Sequence, residues 1–258
     1  MNKQGAKGIE WCDYTWSPVT GCLHGCPYCY AHRIDNRFGD GKFEPTFHIN
    51  RLKEPLTIKK PSRIFVGSMA DLFGDWRWKD IDDNGRPRMV SRDYIMGYIL
   101  DIVFACPQHT FIFLTKNPKG MQGIEFPDNC WCGTSVENQE KYNERKPELL
   151  KVNCKTLFVS YEPALGPIDF GWFDDVPCSH TGCFHHITHP CEGCGRIAGW
   201  AQREIDWLII GAQTGPGAVK PNREWINSAI GQARAANVPL FIKDNCKWPD
   251  KIREFPNN

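Results

Sequence analysis

The chain has 258 residues, with 31 Lys+Arg against 30 Asp+Glu and a formal net charge of +1. That length fits one large α/β domain or two small ones, and 41% hydrophobic with 12% aromatic residues excludes a disordered chain. The charge balance excludes a whole-surface polyanion binder. No apolar run reaches the roughly 18 residues of a membrane span, and the N-terminal stretch lacks the apolar centre of a signal peptide, so a cytoplasmic protein with no membrane partner is expected.

Taken in chain order, short β-branched or aromatic runs predict strands at Thr15–Thr20, Arg63–Val66, Thr110–Leu114, Cys130–Ser135, Thr156–Ser160, Trp207–Ile210 and Leu240–Ile242. Helical patterns fall between some of them, at Tyr28–Phe38, Ser91–Phe104, Asn138–Val152 and Arg223–Ala236. Ser91 and Asn222 are suited to cap two of these helices. Strands alternating with helices imply parallel βαβ units. About six or seven of them predict a TIM-like full or partial barrel, a single domain over residues 1–258, with its sites at the C-terminal strand ends. One stretch breaks the rhythm. Residues 171–204 carry four Cys and four His with little strand or helix pattern. A loop of that length needs a staple of its own, so it reads as a metal-binding insertion.

Thirteen cysteines are many for a cytosolic chain, where clustered cysteines more often hold metal or do redox chemistry than form disulfides. Cys22, Cys26 and Cys29 lie on one short stretch, T-G-C-L-H-G-C-P-Y-C-Y-A-H-R at 20–33. Three thiolates so spaced can hold three irons of a 4Fe–4S cube and leave the fourth iron open to a substrate or cofactor. The alternative is a structural zinc using the three cysteines with His24 or His32. Cys178, Cys183, Cys191 and Cys194 form a second group, interleaved with His180, His185, His186 and His189. Their spacing suits a tetrahedral zinc or an auxiliary 4Fe–4S cluster and does not decide between them. His48, His109 and the scattered cysteines read as structural or surface residues.

The spacing Cys22-x3-Cys26-x2-Cys29, with Tyr28 just before the last cysteine, resembles the signature of the radical S-adenosylmethionine (SAM) superfamily. Further stretches resemble the phage Gp37/Gp68-like family within it, a domain of unknown function. They include W-S-P-V-T-G-C at 16–22, K-K-P-S-R-I-F-V-G-S-M-A-D-L-F at 59–73, F-L-T-K-N-P at 113–118, G-T-S-V-E-N at 133–138, S-Y-E-P-A-L-G-P-I at 160–168 and W-L-I-I-G-A-Q-T-G-P-G-A at 207–218. The resemblance covers nearly all of the chain outside the insertion.

The resemblance implies an enzyme that reductively cleaves SAM to methionine and a 5′-deoxyadenosyl radical, which takes hydrogen from a substrate. It also implies a one-electron donor such as flavodoxin or ferredoxin. Ser68, Met69 and Asp71 would meet the SAM amino group. Ser135, Glu137, Ser160 and Glu162 would contact its ribose and carboxylate. Gly211 and Gln213 would line the pocket, although Gln213 stands where relatives often carry an acid. Lys116 and Lys243 follow strands and suit a substrate phosphate or carboxylate, or are solvated surface lysines. The substrate is expected to be a nucleobase or nucleic acid, with Trp76, Arg77, Trp78 and Lys79 as a stacking and phosphate-binding patch. The insertion is expected to cover the barrel mouth. The rival reading is a non-catalytic, zinc-stabilised module that binds nucleic acid or protein.

Overall fold

A computed structural model of the chain describes residues 1–5, 8–82, 84–172 and 205–256. Along it run β1 (Asn2–Lys3), β2 (Tyr14–Trp16), β3 (Val19–Thr20), α1 (Tyr30–Phe38), β4 (Thr46–Phe47), β5 (Arg63–Val66), β6 (Trp78–Ile81) and β7 (Pro87–Val90). Then follow α2 (Arg92–Phe104), β8 (Thr110–Thr115), β9 (Cys130–Val136), α3 (Gln139–Leu149), β10 (Thr156–Tyr161), β11 (Trp207–Ile210), α4 (Arg223–Ala235) and β12 (Leu240–Ile242). The larger sheet has the order β1-β2-β5-β8-β9-β10-β11-β12. Only β1 is antiparallel to its neighbour; every other pair is parallel. The fold is therefore α/β with a large, mostly parallel sheet.

Parallel strands buried on both faces should read as continuous apolar runs, and these do. Alternate side chains pack into two separate cores. Ile64, Phe111, Val159 and Leu208 join the core shared with the helices. Phe65, Ile112, Trp131, Phe158, Trp207 and Phe241 pack on the opposite face. Trp11, in the segment before β2, fills the middle of that second core. It lies 4.7 Å from Phe65 on β5 and 6.3 Å from Trp207 on β11. Three strands separate β5 from β11 in the sheet. One side chain reaches both only because the sheet curls around it. Gly133 on β9 serves the same packing: a Cβ there would sit 2.5 Å from the Phe158 ring.

The sheet nevertheless does not close, which corrects the full-barrel form of the expectation. Both free edges are already taken. β1 occupies one edge of β2. The C-terminal segment runs antiparallel along β12, with Phe241 bridged to Arg253 and the Glu254 N–H donating to the Leu240 carbonyl at 3.0 Å. Side chains span the gap instead. Arg253 pairs with both Glu10 and Asp244, and the Arg63 guanidinium lies 3.7 Å over the Phe255 ring.

The single strand expected at 15–20 is two strands. β2 joins the large sheet, while β3 joins a smaller one of order β3-β4-β6-β7. Pro18 between them has no N–H for a ladder, so the chain changes sheets there. The helices start where their caps allow. Ser91, Asn138 and Asn222 each accept a backbone N–H of the first turn of α2, α3 and α4, and Cys29 does so for α1. Residues 173–204 of the insertion lie outside the described residues, with Cys178, Cys183, Cys191 and Cys194 among them. The described residues flanking that stretch, Trp172 and Ile205, are buried in the helix-side core. Among the described residues no helix is long and apolar enough to cross a membrane.

Candidate functional site

The C-terminal ends of β5, β8, β9, β10, β11 and β12 carry the residues singled out above. Period two continues past each strand, so Lys116, Glu137, Glu162, Gly211 and Lys243 follow the concave side that Trp11 fills. Ser135 and Ser160 are register partners one layer below. Both are buried, and the Ser160 hydroxyl has no hydrogen-bond partner.

β3 delivers the chain directly to Cys22, and α1 begins immediately after Cys29. The start of this loop is stitched to the exit of β5. Gly21 bridges Ala70, and its N–H donates to the Met69 carbonyl at 2.9 Å. None of the three cysteines is in a disulfide, and all are partly buried. They share one electrostatic neighbourhood. Burial pushes the Cys22 thiol up to about 12, reinforced by the negative charge of Asp71, Cys26 and Cys29. Burial also raises Cys26; Lys116 opposes that shift and Cys29 adds to it. The raised values keep Cys22 and Cys26 as neutral thiols near neutrality in the metal-free chain, so binding a metal there would have to displace their protons.

Among the described residues no three His, Cys, Asp or Glu side chains form a group that could hold a metal ion. The two histidines offered as a fourth zinc ligand are engaged elsewhere. His24 Nε2 lies 2.8 Å from Asp71 Oδ2, and the His32 ring stacks on Phe43 at 5.2 Å.

Asp71 is buried and fully engaged. Besides His24, its carboxylate accepts from Thr115 Oγ1 at 2.7 Å, from the Lys116 N–H at 2.8 Å and from the Phe73 N–H at 3.1 Å. A carboxylate has about four lone-pair sites, so little capacity is left for a ligand ammonium. Burial alone would raise this carboxyl, but the His24 and Thr115 bonds outweigh it and hold it below the usual range.

Glu137 is similarly enclosed. It accepts from Tyr28 Oη at 2.7 Å and from Arg145 Nη1 at 3.1 Å, and it pairs with Lys116 Nζ. Burial pushes its carboxyl up, and Lys116 with Arg145 pulls it below the usual range. Glu162 pairs with Lys243. Burial would lower Lys243, but the Glu162 charge outweighs it and raises the lysine. A side chain at Gly211 would meet that carboxylate, since a Cβ there falls 2.5 Å from Glu162 Cδ.

Of the other expected contacts, the Ser68 carbonyl accepts the Tyr30 hydroxyl. Gln213 Oε1 accepts the Val219 N–H at 3.1 Å and so closes its own loop. The Gln213–Gly217 loop reaches α1 through Arg33, whose Nη2 donates to the Thr214 carbonyl at 2.9 Å. Sequence reasoning missed His24, Thr115 and Arg145 as partners of these carboxylates. His24 and Thr115 lie 47 and 44 residues from Asp71, and Arg145 reaches Glu137 across the turn from β9 into α3.

The proposed base-stacking patch needs correction. Trp78 is fully buried in the helix-side core. The period-two pattern of β6 turns Trp78 and Asp80 inward and Lys79 and Ile81 outward. Arg77 donates to the Met89 carbonyl at 2.8 Å, Lys79 pairs with Glu44, and Trp76 lies edge-on to His24 at 5.0 Å. His109 is buried and bonded to the Ile58 carbonyl at 3.1 Å, in keeping with a structural role.

A family model described as "Protein of unknown function (DUF5131)" matches residues 6–255. No curated protein matches the chain, and no solved structure does.

Proposed function

Starting from a chain that belongs to the DUF5131 family, spanned by its model over residues 6–255, we propose a radical SAM enzyme in which Cys22, Cys26 and Cys29 hold a 4Fe–4S cluster. The observation that carries this reading is the position of the cysteine loop. Its three free thiols, in C-x3-C-x2-C spacing, lie between β3 and α1 and are stitched to the C-terminal end of a parallel strand. That end is where a sheet of this kind places its ligands.

When bound, the cluster would supply the electron that cleaves SAM to methionine and a 5′-deoxyadenosyl radical. The chain's own residues orient and shield. Ser68 and Met69 follow β5 beside the loop, with carbonyls that accept from the Tyr30 hydroxyl and the Gly21 N–H; the reading assigns them to the SAM amino group. Ser160, Ser135 and Glu162 offer oxygen atoms to a ribose or to a carboxylate's hydrogen-bonding shell, and the unpartnered Ser160 hydroxyl gains a partner only from a ligand or a water. Gly211, which packs against Glu162, and Gln213 are assigned to the wall of the SAM pocket. Tyr28, held neutral by burial and by its bond to Glu137, donates a hydrogen bond to that carboxylate and does not titrate near neutrality. An external one-electron donor of the flavodoxin or ferredoxin kind completes the reading, and zinc or an auxiliary cluster is assigned to Cys178, Cys183, Cys191 and Cys194.

The test is metal and acid-labile sulfide analysis after anaerobic reconstitution. The reading expects about four irons per chain in the first site, lost in Cys26→Ala. Zinc in both cysteine groups, with no iron taken up, would overturn it in favour of a zinc-stabilised binding module.

A further inference from the structure

Backbone bonds hold the two ends of the cysteine loop, Cys22 N–H to the Phe43 carbonyl and Cys29 N–H to the Cys26 carbonyl, and side chains hold its middle. Among the described residues no backbone N–H from Leu23 to Tyr28 donates to another backbone carbonyl. Two side-chain anchors flank Cys26 instead. On one side His24 bonds Asp71 at 2.8 Å; on the other Tyr28 Oη bonds Glu137 at 2.7 Å.

Lys116 belongs to both anchors. Its backbone N–H donates to Asp71 Oδ2 at 2.8 Å, while its side chain pairs with Glu137 and lies 3.3 Å from the Tyr28 hydroxyl. Arg145 braces the far side, donating to Glu137 Oε2 at 3.1 Å and to the Ser135 carbonyl at 2.7 Å. Both carboxylates are buried. In so dry a setting the charged bonds are strong while all partners remain, and removing one leaves an uncompensated charge.

We propose that Lys116 is a positioning residue: it ties the two anchors into one clamp that holds the Cys22–Cys29 loop against the strand ends, so that fewer loop conformations have to be ordered when a cluster binds. This deepens the radical SAM reading and rests on it for the identity of the cargo, though the clamp itself is a property of the bare chain. Outer groups that orient metal ligands are worth about 10–100-fold in metal retention.

The experiment has two arms on the full chain. In the metal-free protein, amide hydrogen exchange is followed across residues 22–29 and, as an internal control, across α4. In the reconstituted protein, the rate of iron loss to a chelator is measured. Tyr28→Phe removes one hydroxyl. Lys116→Met removes the ammonium but keeps the backbone N–H and most of the stem. Each is expected to raise exchange in the loop and not in α4, and to speed iron loss about tenfold. Lys116→Arg, which keeps the charge, is expected to restore both. Unchanged loop exchange, or a rise that extends equally to α4, would overturn the clamp. If the parent protein takes up no iron, the cluster reading fails and the exchange arm alone decides the clamp.

Discussion

Ser160 separates binding from stability more cleanly than any other residue of the site. Its hydroxyl is buried and bonds to no other protein group, so removing it breaks no hydrogen bond within the protein and should cost little stability. Ser160→Ala is therefore expected to leave the melting temperature little changed. Its SAM dissociation constant, measured by calorimetry, should rise about tenfold, the worth of one hydrogen bond of about 1.4 kcal/mol. A lower melting temperature with unchanged SAM binding would make Ser160 purely structural. Away from the site, burial holds the His48 imidazole down, from 6.5 to about 4, while its Nε2 stays within 2.8 Å of Thr20 Oγ1. A depressed pKa means that the unfolded chain takes up the proton first. The His48 contribution is thus fully present above pH 6.5 and drains away as pH falls from 6.5 through about 4. His48→Gln should flatten the fall in melting temperature over that window.

At the scale of elements, the central strands were legible because a parallel sheet buried on both faces writes itself as apolar runs. The expected Arg63–Val66, Trp207–Ile210 and Leu240–Ile242 coincide with β5, β11 and β12, and the capping side chains of Ser91 and Asn222 fall where expected. The small sheet was not legible. β3 and β4 are two residues each, and β6 alternates buried and exposed residues, so its tryptophan looked like a surface platform. The site's three carboxylates, Asp71, Glu137 and Glu162, were visible near strand ends, whereas their partners were not: Asp71–Thr115 joins two strand ends 44 residues apart, and Glu137–Arg145 needs the turn from β9 into α3 to be fixed first. Gly133 gives this level its test. Gly133→Ala would push a Cβ into the Phe158 ring across the β9–β10 register. Overpacking of this kind costs about 1–3 kcal/mol in denaturant unfolding. A cost near zero would mean that the concave core repacks freely around Trp11.

At the scale of the whole molecule, the two ends of the chain set the architecture. β1 and the 252–254 segment occupy the outer edges of β2 and β12, so the sheet curls without closing. The gap is spanned by Glu10, Asp244 and Arg253. Arg253→Ala leaves Glu10 without its cation and should lower the melting temperature while the central β8–β9–β10 ladder keeps its slow amide exchange; equal loss of protection in that ladder would show that the gap and the core unfold as one unit. The strand ends remain gathered on one side of this curled sheet, with the cysteine loop beside them. The most direct measurement of what that arrangement does is the anaerobic reaction of the reconstituted protein with dithionite and SAM, followed by detection of 5′-deoxyadenosine. The account predicts its release by the parent chain and none by Cys26→Ala. A parent chain that carries iron and sulfide yet yields no more 5′-deoxyadenosine than Cys26→Ala would contradict it.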